Sequence, residues 1–131
     1  MTVRITIAHN EARLGATLAQ LDAGTTGARL EIYSGEKPAV IGGTPAGDEL
    51  AEIQLTKPAG TISAGVLTLT AVGVAMVAVN GIAAWARFVD GDGTVVMDGD
   101  CTDLAGDGDV KLVNTQLYAG GEARLASAVI G

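Results

Sequence analysis

Hydrophobic and polar positions alternate with a period of two at the start of the chain, where Val3, Ile5 and Ile7 are separated by Arg4 and Thr6. That period reads as an extended arm or strand within residues 1–9. The spacing then changes. Leu14, Leu18 and Leu21 fall on one stripe of a helix predicted over residues 10–23. Asn10 is its expected cap, Glu11 sits in the first turn where the helix dipole favours an anion, and Gly24 ends it.

From residue 28 onward the pattern is that of strands. Short apolar or alternating runs occupy 28–33, 50–56, 65–70, 72–79, 82–89, 94–97, 110–113 and 122–130. Residues 34–48 read as a long loop, because Pro38 and Pro45 exclude a regular ladder. Pro58-Ala59-Gly60 punctuates the second strand. Asp90-Gly91-Asp92-Gly93 supplies a hairpin turn, since Asp-Gly accepts positive φ, and residues 98–109 read as a polar loop. So many short strands in 131 residues predict one mainly β domain over 1–131, a β-sandwich or jelly-roll-like fold with one short N-terminal helix.

Residues 58–86 contain no charged side chain. Residues 64–86 are long enough for a transmembrane helix. Thr68, Thr70, Asn80 and three glycines interrupt them, and only Lys57 and Arg87 stand near as basic flanks, so two buried strands are the better reading. The second of these, 72–79, is more apolar than a small acidic domain can leave uncovered. Val72, Val74, Met76, Val77 and Val79 are therefore candidates for an intermolecular contact.

Composition narrows the function classes. The chain is 48% hydrophobic but 3% aromatic, so its core must rest on Ala, Val, Leu and Ile, with Trp85 as an expected anchor. Ligand pockets lean on aromatic and convergent polar groups, which points away from an enzyme. A net charge of −7 argues against nucleic acid and against anionic membranes. Cys101 has no partner for an internal disulfide, and Asp98, Asp100 and Asp103 deny it the electropositive setting of a reactive thiol; it is expected to be buried or half-buried. His9 is the only histidine and no Gly-x-Ser-x-Gly elbow is present, so neither a catalytic triad nor an ordinary zinc site can be assembled. No phosphate-binding loop is present, and no cofactor is expected. The first residues lack an apolar signal region, so synthesis in a cytoplasm is expected.

Residues 90–109 hold seven of the fifteen acidic residues and no basic one. Clustered carboxylates suit Ca²⁺, which makes Asp90, Asp92, Asp98 and Asp100 weak candidate ligands. The EF-hand spacing fails, however, because glycine comes too early and no Glu follows at the required distance. Turn chemistry with a solvated acidic edge is the simpler reading.

Several blocks resemble a family of short structural proteins of tailed bacteriophages and prophages, encoded near the major capsid protein. They are Leu21-Asp22-Ala23-Gly24, LEIYSGEKP at 30–38, Leu50-Ala51, SAGVLT at 63–68, AWARFVDGDGT at 84–94, VMDGD at 96–100 and YAGG at 118–121. Each is a turn-and-strand signature, and none carries a catalytic residue. The run 72–79 departs from the family pattern, which is polar there. The resemblance implies a virion component on the capsid surface, a decoration or cement subunit. Its expected partners are the major capsid protein and further copies of itself, as a dimer or trimer. A tail or head-fibre component, a carbohydrate-binding β-sandwich module and a small membrane protein are the competing readings.

Overall fold

The computed structural model describes residues 3–131; Met1 and Thr2 of the expected arm lie outside them. One helix, α1 (Ile7–Leu21), precedes eleven strands. These are β1 (Arg29–Tyr33), β2 (Glu49–Ser63), β3 (Val66–Ala71), β4 (Ala75–Met76), β5 (Gly81–Ile82), β6 (Trp85–Val89), β7 (Val95–Thr102), β8 (Val110–Leu112), β9 (Gln116–Leu117), β10 (Glu122–Ala123) and β11 (Leu125–Ile130). The chain is mainly β with one helix, as its pattern predicts. The expected sandwich or jelly roll is replaced by a closed barrel, in the order β1-β2-β3-β11-β8-β7-β6 and back to β1. Only β7 and β8 run parallel, at Cys101↔Val110 and Thr102↔Lys111. Two small ribbons, β4–β10 and β5–β9, stand apart from the barrel ladder.

Strand alternation decides what fills the barrel. Leu30 and Ile32 of β1 lie opposite Ile53 and Ala51 of β2 on one side and Phe88 and Ala86 of β6 on the other. All six are buried in one cluster. Pairing large with small side chains suits the narrow interior of a seven-stranded barrel. Leu14 and Leu21 of α1 join the same cluster with Leu18 at its margin, as the helical stripe predicts.

The helix starts three residues earlier than expected. Thr6, not Asn10, is its cap, and its Oγ1 accepts the His9 N–H at 3.0 Å. A hydroxyl already placed at residue 6 ends the two-residue alternation before Ile7. Asn10 is used elsewhere. Its amide donates to the Gly65 carbonyl at 2.8 Å, and the Gly65 N–H donates to the Glu11 carboxylate at 3.1 Å. The first turns of α1 thus hold the β2–β3 hairpin. In that turn Ala64 and Gly65 both have positive φ, 53° and 77°. This two-residue geometry favours Asn-Gly, and an alanine there is strained. Ala64→Asn is expected to raise unfolding stability by about 0.5–1 kcal/mol in urea titrations.

Two further boundaries differ from the pattern. β2 runs through Pro58 because the register slips between Leu55 and Gly60, and a proline in a bulge removes no ladder bond. β7 extends through the expected loop as far as Thr102, since Asp98 and Asp100 gain cationic partners there. Gly99 makes this passage possible: a Cβ at that position would stand 3.0 Å from the Asp109 carboxylate and 3.3 Å from the Phe88 ring.

The expected buried strand over 72–79 is the largest correction. Only Ala75 and Met76 are in a strand. The rest wraps over the molecule by single hydrogen bonds, from Val72 N–H to Gln54, Val77 N–H to Gly121 and Ala78 N–H to Leu50. Scattered bonds to three elements satisfy the backbone without making a ladder. Among the described residues no helix is long and apolar enough to cross a membrane.

Candidate interaction surface

The structure separates the five candidate contact residues. Val77 is buried, whereas Val72, Val74, Met76 and Val79 are exposed, Val72 and Met76 at 66% and 76%. Burying Ala75 and Val77 tethers the segment and leaves Val72, Val74 and Met76 on its other side, with Val79 exposed beyond the tether. Ile82, Val113 and Tyr118 are exposed as well. The fold brings several of these together. Val74 and Val113 line one groove. The turn after Tyr118 is tied to Val77 by hydrogen bonds from Gly120 and to Gly121. Met76 lies opposite Glu122 across β4–β10. Ile82 and Val113 fall in expected strands over 82–89 and 110–113, but they sit at the edge of short elements, where no period tells which face is exposed.

The groove itself has a structural cause. β3 and β11 pair only at Val129↔Thr68 and Ile130↔Leu67. Past that point no further register pair joins the two strands. Residues 68–71 and 124–127 form the walls of a cavity of about 460 Å³, with Val74 and Val113 at its border. Two smaller cavities lie along α1, beside Gly65 and beside Ile130.

A second feature sits on the outer face of β1, β6 and β7. Trp85 is fully buried, but it lies outside the barrel cluster, because its register partner is Tyr33 rather than the inward Ile32. The Tyr33 and Trp85 rings stack with centroids 4.4 Å apart. The Arg87 guanidinium stands 5.0 Å from the Trp85 ring centre and 6.0 Å from that of Tyr33. Arg87 grips both oxygens of Asp98, at 2.8 and 3.2 Å, and donates to the Gly43 carbonyl at 2.8 Å. Both charged side chains are buried, at 8% and 3% exposure. Residues 34–48 form the cover, closed at the base by a Ser34–Asp48 main-chain bond of 3.0 Å. Among the described residues Trp85 Nε1 meets no hydrogen-bond partner. Trp85 is thus fully buried, as expected of an anchor, but outside the main barrel cluster, in a layer with Tyr33 and Arg87.

The candidate Ca²⁺ ligands are not brought together. Asp90 Oδ1 accepts the N–H groups of Asp92 and Thr94, both at 2.9 Å, and so serves its own turn. Asp98 pairs with Arg87, and Asp100 with Lys37 at 2.8 Å. Among the described residues, three acidic side chains come within reach of one ion only at Glu31, Glu49 and Glu52. Two of these are engaged: Glu31 accepts the Tyr33 O–H at 3.0 Å, and Glu52 faces Arg29 Nε at 3.3 Å in a coulombic contact without hydrogen-bond geometry. Burial, then repulsion from Glu31 and Glu52, raises the Glu49 carboxyl above its ordinary range. Burial, then the Glu31 bond, does the same to the Tyr33 phenol.

His9 is exposed in the first turn of α1. Cys101 is buried, and burial pushes its thiol up to about 12. A thiolate is the reactive form, so Cys101 is expected to resist a thiol reagent at pH 8 and to react in full once the chain is unfolded in guanidinium. The sign extends to stability. Between the ordinary thiol range and about pH 12 the unfolded chain loses a proton that the folded chain keeps, so rising pH across that window favours unfolding. Rapid native labelling at pH 8 would show that the site opens.

No family model, curated protein or solved structure matches this chain.

Proposed function

We propose that the chain is a non-enzymatic structural subunit of a tailed-bacteriophage particle, a decoration or cement protein that binds the capsid lattice and also contacts copies of itself. The observation that carries this reading is the exposed apolar group around Val72, Val74 and Met76 on a closed barrel. On a chain of net charge −7, this apolar group, whose charged neighbours Glu122 and Arg124 pair with each other, is where a protein partner can approach with little like-charge repulsion. Sequence blocks spread from Leu21 to Gly121 support the phage assignment by their resemblance. Binding only to the assembled shell would raise shell stability by linkage. The aromatic pair Tyr33–Trp85 lies under a loop, so the carbohydrate-platform reading keeps only Tyr118 as an exposed ring.

The test adds purified protein to shells that lack it. Sedimentation should show saturable binding, and the shells should disrupt at higher temperature. Val74→Asp with Met76→Asp should leave the melting of the isolated protein within about 0.5 kcal/mol of wild type, because surface substitutions rarely do more. The same pair should weaken shell binding at least about tenfold, since burying either side chain is worth more than 1.4 kcal/mol. Normal shell binding by this variant would remove the face from the interface. Absence of the protein from purified particles by mass spectrometry would overturn the assignment.

A further inference from the structure

We propose that residues 34–48 form a strap that opens and closes over Tyr33, Trp85 and Arg87 while the barrel stays folded. The inference is independent of the capsid reading. Three features of the structure carry it.

The first is how little the strap gives to the barrel. No residue from Ser34 to Asp48 is buried. The strap joins β1 to β2, and those strands stay paired up to its ends, at Tyr33↔Glu49. Lifting it therefore breaks no ladder pair. Among the described residues, the hydrogen bonds that hold it down are those of Gly43 to Arg87, Gly42 to Asp98 and Lys37 to Asp100. The Lys37–Asp100 pair is exposed, and such pairs hold weakly. Segments with few buried contacts and exposed bonds open well below the energy of global unfolding.

The second is that the strap keeps its own shape. Its ends close on each other: the Ser34 N–H donates to the Asp48 carbonyl at 3.0 Å, and the Asp48 N–H to Ser34 Oγ at 3.1 Å. Gly47 lies so near that a Cβ there would collide with the Ser34 carbonyl oxygen. At the tip the Gly43 N–H donates to the Val40 carbonyl at 3.0 Å. These contacts lie within the strap, so they survive when it swings as one piece on its base.

The third is a cost built into the closed state. Trp85 is fully buried, and its indole N–H meets no partner among the described residues. A buried unpaired donor disfavours the closed form by roughly fivefold or more. Opening gives that donor to water, and it hydrates the Arg87–Asp98 pair as well. Against this stands the gain from covering the apolar rings of Tyr33 and Trp85. Opposed contributions of this kind leave the open form as a minor population of the folded protein.

Hydrogen exchange of the full chain, followed by NMR in a series of low urea concentrations, tests the proposal. The Trp85 indole N–H and the Arg87 Nε–H lie under the strap. The main-chain N–H groups of Leu55 and Cys101, bonded to Ala28 and Ala84, report on the barrel. The two covered protons should share one protection, at least about tenfold below that of the barrel amides and nearly independent of urea, because opening exposes little surface. Leu67→Ala, at a fully buried site on β3, should speed exchange of the barrel amides by about thirtyfold or more and leave the covered protons unchanged. If that variant does not fold, the urea series on the wild type decides alone. Equal protection and equal urea dependence of the two sets overturn the strap, because its opening is then global unfolding. Equal acceleration of both sets by Leu67→Ala overturns it for the same reason. Exchange of the indole proton at the rate of free indole also overturns it, because the cover is then never closed.

Discussion

Asp98→Ala is expected to lower unfolding stability by about 3–5 kcal/mol, because it strands the Arg87 guanidinium in a buried site. The argument is geometric. Arg87 and Asp98 are hardly exposed, and Asp98 supplies two of the three acceptors that Arg87 meets there. Loss of the carboxylate leaves only the Gly43 carbonyl and the faces of Trp85 and Tyr33. The loop of residues 34–48 should loosen with it, since Asp98 also faces the Gly42 N–H and Arg87 holds Gly43. Urea titration measures the first effect. The second is read by proteolysis at the loop tip, where Val40 and Ile41 are exposed. The double variant Arg87→Leu/Asp98→Leu separates the pair from its parts. Removing both charges leaves no unpaired ion, so it should be more stable than the Asp98→Ala single variant. A double variant that is less stable would mean that the pair itself, rather than the avoidance of a stranded charge, holds the layer.

That ion pair shows where sequence reading stops. Residues 98–109 look like a loop because Asp and Gly dominate them, and propensity alone gives Asp98 and Asp100 no reason to join a strand. Their partners, Arg87 and Lys37, lie 11 and 63 residues away. The β6–β7 hairpin register sets Arg87 opposite Asp98, but only because β7 continues past Met97 into the expected loop. The same holds for Trp85. All five residues of β6 are buried, so alternation there carries no information about which face is inside. Sequence identifies a buried strand at 85–89 but not that its odd-numbered side chains face a loop.

What was legible has a common physical basis. The helical stripe of Leu14, Leu18 and Leu21, the Asp90 turn and the strands at 29–33, 66–71 and 125–130 are encoded by local spacing. Closure of the sheet is not, because whether strands stack as two sheets or join as a barrel depends on long-range pairing such as β1 with β6 and β3 with β11. For the candidate surface, the missing charge over 58–86 pointed to a segment that is largely exposed at 72–79 but gave its structure wrongly. A run of valines scores as a strand by propensity. Here Ala75 and Val77 are taken into the core, and the backbone bonds of the segment outside β4 are spread over Gln54, Gly121 and Leu50.

Trp85→Ala is expected to cost about 3–5 kcal/mol, as for other large-to-small changes at fully buried aromatic sites. Trp85→Phe should cost much less, and the reason is specific to this site. The indole N–H is buried without a partner, a liability of about 1–3 kcal/mol that phenylalanine removes. A phenyl ring can keep the stack on Tyr33 and a face toward Arg87. The gain offsets part of the smaller ring's lost volume. Thermal melting of the three proteins should therefore rank wild type and Trp85→Phe close together, with Trp85→Ala far below. Because Trp85 is the only tryptophan, its emission also reports on the loop. Native protein should fluoresce with the blue-shifted maximum of a buried indole and resist acrylamide quenching. Asp98→Ala should increase that quenching under conditions where the barrel is still folded by circular dichroism, because the cover over the ring has lost its anchor. If Trp85 in the wild type is quenched as readily as a free indole, the loop stands open, and the burial on which both stability predictions depend is absent. If Trp85→Phe falls as far as Trp85→Ala, the unpaired N–H has a partner, and the indole itself ties residues 34–48 to the barrel.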